Sequence, residues 1–146
     1  MNLEKLVAIS GRSGLFRMTS NRANGLIVED LDNGKRFFVS ARLHQFTPLA
    51  SISIYTDTEE ETVELKQVFK RMADNMETTP PLDAKAEGNE LRSYFEKIMP
   101  EHDREKVLIS DIKKLIKWFG FLKERNLLNF DEVEVAEEEN NETAKG

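Results

Sequence analysis

The sequence predicts an α+β chain: a small SH3-like β-barrel at the N-terminus, a three-helix domain after it, and a disordered acidic tail. Three observations predict it. Residues 14–56 alternate with a period of two and carry Asn-Gly turn signals, residues 62–130 repeat apolar residues three and four apart, and residues 131–146 contain almost no large apolar group. The expected boundaries are 1–60 for the barrel, 61–130 for the helical domain with a loop at 77–89, and 131–146 for the tail.

Taken in order, Leu3, Leu6, Val7 and Ile9 lie near one helical face and predict a short helix at one end of the barrel. Residues 14–20 (GLFRMTS) and 25–31 (GLIVEDL) predict two strands, with Asn24-Gly25 as a turn candidate between them. Asn33-Gly34 precedes a third strand, 35–40 (KRFFVS), and predicts a two-residue hairpin turn in which both central residues need positive φ. Thr47-Pro48-Leu49-Ala50 suits one helical turn before a fourth strand, 51–56 (SISIYT). Four short strands with tight connections fit a small barrel better than two stacked sheets.

Leu65, Val68, Phe69, Met72 and Met76 predict the first helix, with Thr58-Glu59-Glu60-Glu61 as a capping box and Thr62 as a later start. Pro80-Pro81 bars helix from the following loop. Leu91, Tyr94, Phe95, Ile98 and Met99 predict the second helix, ended by Pro100. Ile112, Leu115, Ile116, Phe119 and Leu122 predict the third, with Ser110 as N-cap, Asp111 in the first turn and Asn126 as a left-handed stop. Gly120 within it predicts close packing against a neighbour. Trp118 and Phe121 widen its apolar arc, which predicts burial on two sides or contact with a partner.

The net charge of −6 is unevenly spread. Residues 131–146 hold seven acids against Lys145, so the preceding 130 residues are neutral overall. Residues 91–130 hold nine Lys/Arg against six acids. The acidic global balance therefore says little against an anionic ligand. Zero cysteines exclude disulfides, thiolate metal sites and Cys nucleophiles, and two distant histidines speak against a zinc hydrolase. No apolar run is long enough to span a membrane, and the first twenty residues lack the pattern of a secretory signal, so a cytoplasmic setting is expected.

The opening MNLEKLVAISGRSGLFRMTS, the strand SISIYT and above all PEHDREKVLISDIKKLIKWFGFLKERNLL resemble a family of short Bacteroidetes proteins described only as a domain of unknown function. The resemblance covers about residues 1–130. It implies a β domain followed by a helical domain in a bacterial, non-secreted protein, and it implies no activity. Residues 57–64 (DTEEETVE) depart from the family pattern, in which a proline precedes the residue matching Leu65.

Lys113, Lys114, Lys117, Lys123 and Arg125, with Arg104 and Lys106 nearby, suggest a phosphate-binding face on the third helix; the alternative is an ordinary solvated face. Phe16, Phe37, Phe38, Phe46 and Tyr55 interleaved with Arg17, Arg36 and Arg42 suggest an aromatic-basic barrel surface; the alternative fills the barrel with some and sets Phe37 or Phe38 against the second domain. Glu101-His102-Asp103-Arg104-Glu105 is the densest titratable cluster, read either as an acid/base site or as a polar loop. His44 reads as a loop or rim residue, and Ser110 and Gly11–Gly14 lack the contexts of a nucleophile elbow and a phosphate loop.

The residues offer surfaces and no reaction centre. The expected function is a non-enzymatic binding or adaptor protein, with nucleic-acid association as its most specific version. The binding face would use Lys113, Lys114, Lys117, Arg104 and Arg36, and an interface would use Trp118, Phe121 and Phe38. The alternatives are a structural or dimerisation module and, less favoured, a small enzyme using His102, Asp103 and Arg104. No metal or cofactor is expected. A protein partner or second copy is favoured, nucleic acid is the alternative, and no membrane is expected.

Overall fold

The computed structural model describes residues 3–128. The tail expected at 131–146 lies outside the described residues. The chain is α+β, with an N-terminal antiparallel sheet followed by three helices.

Strands β1 (Leu6–Ile9), β2 (Phe16–Arg22), β3 (Gly25–Asp30), β4 (Arg36–Ser40) and β5 (Phe46–Pro48) form one sheet in the order β4-β3-β2-β1-β5. Its edges, β4 and β5, do not pair, so the sheet is open and the expected barrel does not close. The reason lies in β5, which is three residues long and ends at Pro48, a residue with no N–H for a further ladder bond. A 3₁₀ turn at Leu49–Ser51, where a helical turn is expected, then carries the chain away. The strand expected to complete the barrel, β6 (Ser53–Tyr55), pairs instead with β7 (Thr62–Glu64) in a separate ribbon against the helices.

Leu6–Ile9 is a strand, not the expected short helix. Leu6 and Ala8 pack into the main core, while Val7 and Ile9 pack into a second cluster with Phe16, Val28 and Val39. A strand buried on both faces reads as a continuous apolar run, which periodicity alone does not separate from a helix. The sheet thus has one face on its own small cluster and the other on the helical core.

Asn33-Gly34 lies in the β3–β4 connection as expected, yet the turn is longer than two residues. Gly34 has φ +74° and Asn33 is not in the left-handed region. The Asp30 carboxylate accepts the Asp32 N–H (2.7 Å) and Asn33 N–H (3.3 Å), and the Gly34 N–H donates to the Asp30 carbonyl at 2.9 Å. Gly34→Val is expected to destabilise by about 1–2 kcal/mol, since a β-branched residue resists positive φ. An unchanged urea midpoint would show that the Asp30 bonds alone hold the turn. The β2–β3 turn falls on residues 23–24, one residue earlier than expected, and Gly25 is already in the strand opposite Ser40.

Helix α1 (Leu65–Asp74) starts later than the expected capping box. Residues 57–61 are instead the connection of the β6–β7 hairpin, closed by the Thr56 N–H on the Glu61 carbonyl (2.8 Å), with Glu61 at φ 65°. Helix α2 spans Gly88–Ile98 and stops before Pro100. Helix α3 spans Ile109–Glu124, with Leu108 and not Ser110 at its N-cap. The Asp111 carboxylate reaches back to the Leu108 N–H (2.9 Å), the acidic half of a capping box, and this moves the start forward. Asn126, at φ 59°, ends α3 as expected.

Phe69, Phe95 and Phe119, each 1% exposed or less, centre the main core with Leu65, Leu91 and Ile112. Gly120 does not mark close packing, because a Cβ there would meet nothing within 4 Å. Gly120→Ala is therefore expected to stabilise the chain by about 1 kcal/mol through helix propensity. A lower denaturation midpoint for this variant would contradict the open space around it.

Candidate functional site

The arginines near α3 each have a partner within the chain. Arg92, on α2, donates one Nη1 to His102 Nε2 (3.1 Å) and to the Val107 carbonyl (2.8 Å). Arg71, on α1, pairs with Glu101 at 2.7 Å and holds that carboxyl below the usual range, with burial opposing. Arg104 pairs with Glu96. Arg125 forks onto Asp32 through Nε and Nη2 at 2.8 and 3.0 Å, which lowers the Asp32 carboxyl, and it also caps the Phe121 carbonyl at 3.0 Å. Arg104 and Arg125, read from the sequence as part of a phosphate face, are committed to these partners.

His102 is 2% exposed and uses both ring nitrogens. Arginine has no acceptor, so the Arg92 contact makes Nε2 the acceptor and leaves the proton on Nδ1, which donates to the Met99 carbonyl at 2.7 Å. The ring packs edge-on against Phe95 at 4.9 Å. Asp103 caps the following turn, accepting the Glu105 N–H (2.9 Å) and the Lys106 N–H (3.2 Å). The His102-Asp103-Arg104 run is thus a turn whose three side chains face three different partners. They do not converge on a cleft. Among the described residues no group of three His, Asp or Glu could hold a metal ion.

At about 100° per residue, Lys113, Lys117 and Lys114 share one arc of α3 opposite Ile112, Ile116 and Phe119. Lys114 and Lys117 are exposed and Lys113 is half-buried. No ion pair holds Lys106, Lys113, Lys114 or Lys117 among the described residues. Ser110 is exposed in the first turn.

The expected wide arc of α3 is buried on two sides within the chain. Toward its C-terminal end, Phe121 lies on Gly14 in the β1–β2 turn and is covered by Arg125, whose guanidinium carbon sits 3.6 Å from the ring centroid. Toward its N-terminal end the same seam is unfilled. There Trp118, Lys114, Asp111 and Lys106 face Ile52 and Tyr55 across a groove of about 270 Å³. Lys106 Nζ lies over the Tyr55 ring at 5.2 Å, and Tyr55 is 48% exposed. A second cavity, about 490 Å³, lies between residues 78–82 and α2, but Lys97 and Glu90 set opposite charges in its lining.

The aromatic-basic sheet surface is not assembled. Phe16, Phe37 and Phe46 belong to the sheet's own cluster, with Phe37 edge-on to Phe16 at 5.8 Å and beneath Arg12 at 4.9 Å. Phe38 is 43% exposed on the edge strand β4 and faces Gly25, not the helical domain. Arg36 is on the same edge strand, 3.9 Å from Glu29, while the groove adjoins Thr47 of the opposite edge strand. His44 is a loop residue bonded to the Ser10 carbonyl at 2.7 Å. Sequence reasoning missed Arg92, Asp32 and the groove role of Tyr55, because each depends on residues brought together across elements.

An open antiparallel sheet joined to three helices, with a lysine-edged groove at their seam, defines a two-part α+β protein. Residues 3–49 match a family model described as a domain of unknown function (DUF5606), and residues 52–122 match another described as a domain of unknown function (DUF6852). The chain is similar to a protein from Bacteroides vulgatus with a solution NMR structure, at 34% identity over 88% of this chain and 91% of that one, with a TM-score of 0.72. No curated protein matches. The chain belongs to this two-domain family of unknown function, as the resemblance in its sequence implies. Among the described residues no helix is long and apolar enough to cross a membrane.

Proposed function

We propose that this chain is a non-enzymatic binding module, an adaptor that engages an acidic protein partner through the outer face of α3. One observation carries the reading: Lys106, Lys113, Lys114 and Lys117 have no ion pair among the described residues, while Arg71, Arg92, Arg104 and Arg125 are all consumed by the fold. Unpaired lysines on α3 and in the turn before it, beside an aromatic groove, favour a partner that brings carboxylates. Nucleic acid is the second reading, favoured by the same lysines. It is weakened by Arg36, which lies on the far edge strand and does not extend them into one continuous basic face. A cytoplasmic setting is part of the proposal.

The test is a full-length chain carrying Lys113→Glu, Lys114→Glu and Lys117→Glu. It is expected to melt like the parent, because none of the three lysines has an ion pair to lose, and to release a partner captured by the parent from native cells with or without nuclease. A partner retained by the triple variant would remove α3 from the binding face. In a gel-shift titration with mixed RNA and duplex DNA, no complex is expected at low salt. A complex whose log K falls with log salt, with a slope about 0.9 smaller for each lysine removed, would establish the nucleic-acid reading instead.

A further inference from the structure

We propose that the groove between β6 and the N-terminal half of α3 takes an extended acidic segment of a partner protein, added as a strand to the outer edge of β6. This rests on the binding-module reading and names the chemistry of its partner.

The backbone of β6 carries the argument. The Leu65 N–H donates to the Ile52 carbonyl (3.2 Å) and the Thr56 N–H to the Glu61 carbonyl (2.8 Å), with Ile54 opposite Val63 between them. Residues 52, 54 and 56 therefore bond toward β7, and Ser53 and Tyr55 point their N–H and C=O groups the other way. That outer edge is covered at one end only: the Asp103 N–H donates to the Tyr55 carbonyl (2.9 Å) and the Asp57 N–H to the Glu101 carbonyl (2.8 Å). The covering segment then leaves, because Asp103 draws the Glu105 and Lys106 N–H groups into a turn. Among the described residues nothing bonds the Ser53 N–H, the Ser53 carbonyl or the Tyr55 N–H. An antiparallel ladder begins on this edge and stops midway, beside the groove.

The side chains select the occupant. A strand laid there alternates its side chains between two faces. One row lies on the side of Ile52 and Ile54, toward Trp118; the other lies on the side of Tyr55, whose ring Lys106 covers, and Lys114 also lines the groove. Asp111 offers little opposition, since its carboxylate is turned to the Leu108 N–H. At about 270 Å³ the groove holds only a short extended stretch. Alternating acidic and β-branched residues satisfy both rows and the open backbone.

The test uses the full chain, ¹⁵N-labelled, with two peptides of equal charge, Ac-Val-Glu-Val-Glu-Val-NH2 and Ac-Val-Glu-Pro-Glu-Val-NH2. The first is expected to shift the Ser53 and Tyr55 amide signals and slow their hydrogen exchange, and Lys114→Glu should weaken it about tenfold. The proline peptide, lacking the central N–H, is expected to bind at least about tenfold more weakly. Equal binding of both peptides, shifting only lysine neighbours, would overturn strand addition and leave the lysine-face reading standing. No binding of either at low salt would overturn the acidic occupant, and the lysines would then serve to guard an open edge. Binding seen only after Glu132→Lys and Glu134→Lys in the full chain would mean that the chain's own acidic segment holds the groove, which also overturns the proposal.

Discussion

His102→Ala is expected to lower the stability of the chain by about 3–4 kcal/mol, and its melting temperature by roughly 10 °C. The ring is buried at 2% exposure and fills space against Phe95. Its removal leaves a cavity, takes one of two bonds from the Met99 carbonyl, which keeps the backbone N–H of residue 102 at 3.0 Å, and unpairs one direction of the Arg92 guanidinium. An unsatisfied buried polar group costs about 1–3 kcal/mol, more when charged, and the cavity adds to that. Arg92 retains the Val107 carbonyl, so part of its bonding survives. Urea denaturation should show a lower midpoint with an unchanged slope. The imidazole ¹⁵N shifts of the parent should report a proton on Nδ1 and an accepting Nε2. A loss below about 1 kcal/mol, or the opposite tautomer, would refute this account of His102 as the post that ties α2 to the entry of α3.

Gly25→Ala is expected to cost about 2–3 kcal/mol, more than a positive-φ glycine replaced by Ala. A Cβ at Gly25 would stand 2.1 Å from the Val39 carbonyl oxygen and 2.8 Å from the nearest Phe38 ring atom. The ring can rotate away, but the carbonyl belongs to the β4 ladder, in which Gly25 opposes Ser40 and Leu26 opposes Val39. Relief therefore requires β3 and β4 to separate at that end. Phe38 lying diagonally over a strand glycine is the cross-strand arrangement that compensates for a missing side chain, which accounts for a half-exposed phenylalanine without any partner. The double variant Gly25→Ala, Phe38→Ala should recover little of the loss, because the backbone contact persists. Full recovery would show that the ring, not the carbonyl, carries the strain.

The helical half was largely legible in the sequence. Leu65, Val68, Phe69 and Met72, then Leu91, Tyr94, Phe95 and Ile98, then Ile112 to Leu122 all point to the core, because a 3.6-residue period leaves one face for burial whatever the partner is. The stop at Pro100 and the left-handed Asn126 were equally local. The outward position of the lysines followed from the same period. Helix starts were less legible: Thr58–Glu61 and Ser110 carry the right residues, but pairing of Val63 with Ile54 and the reach of Asp111 back to Leu108 decided between near-equal local options.

What the sequence by itself determined, then, was everything set by neighbours within about four residues: three amphipathic helices, the β character of 14–56, the turn at Gly34 and the lysine arc of α3. What only the tertiary structure decided was everything set by pairs far apart in the chain. Leu6–Ile9 became a strand because two cores met on its two faces. Ser53–Tyr55 left the sheet for β7, and the sheet stayed open. Arg125 found Asp32, 93 residues away, and so was withdrawn from the basic face. Hydrogen-bond ladders and ion pairs are satisfied by whichever partner packing brings within about 3 Å, and local periodicity carries no information about that distance.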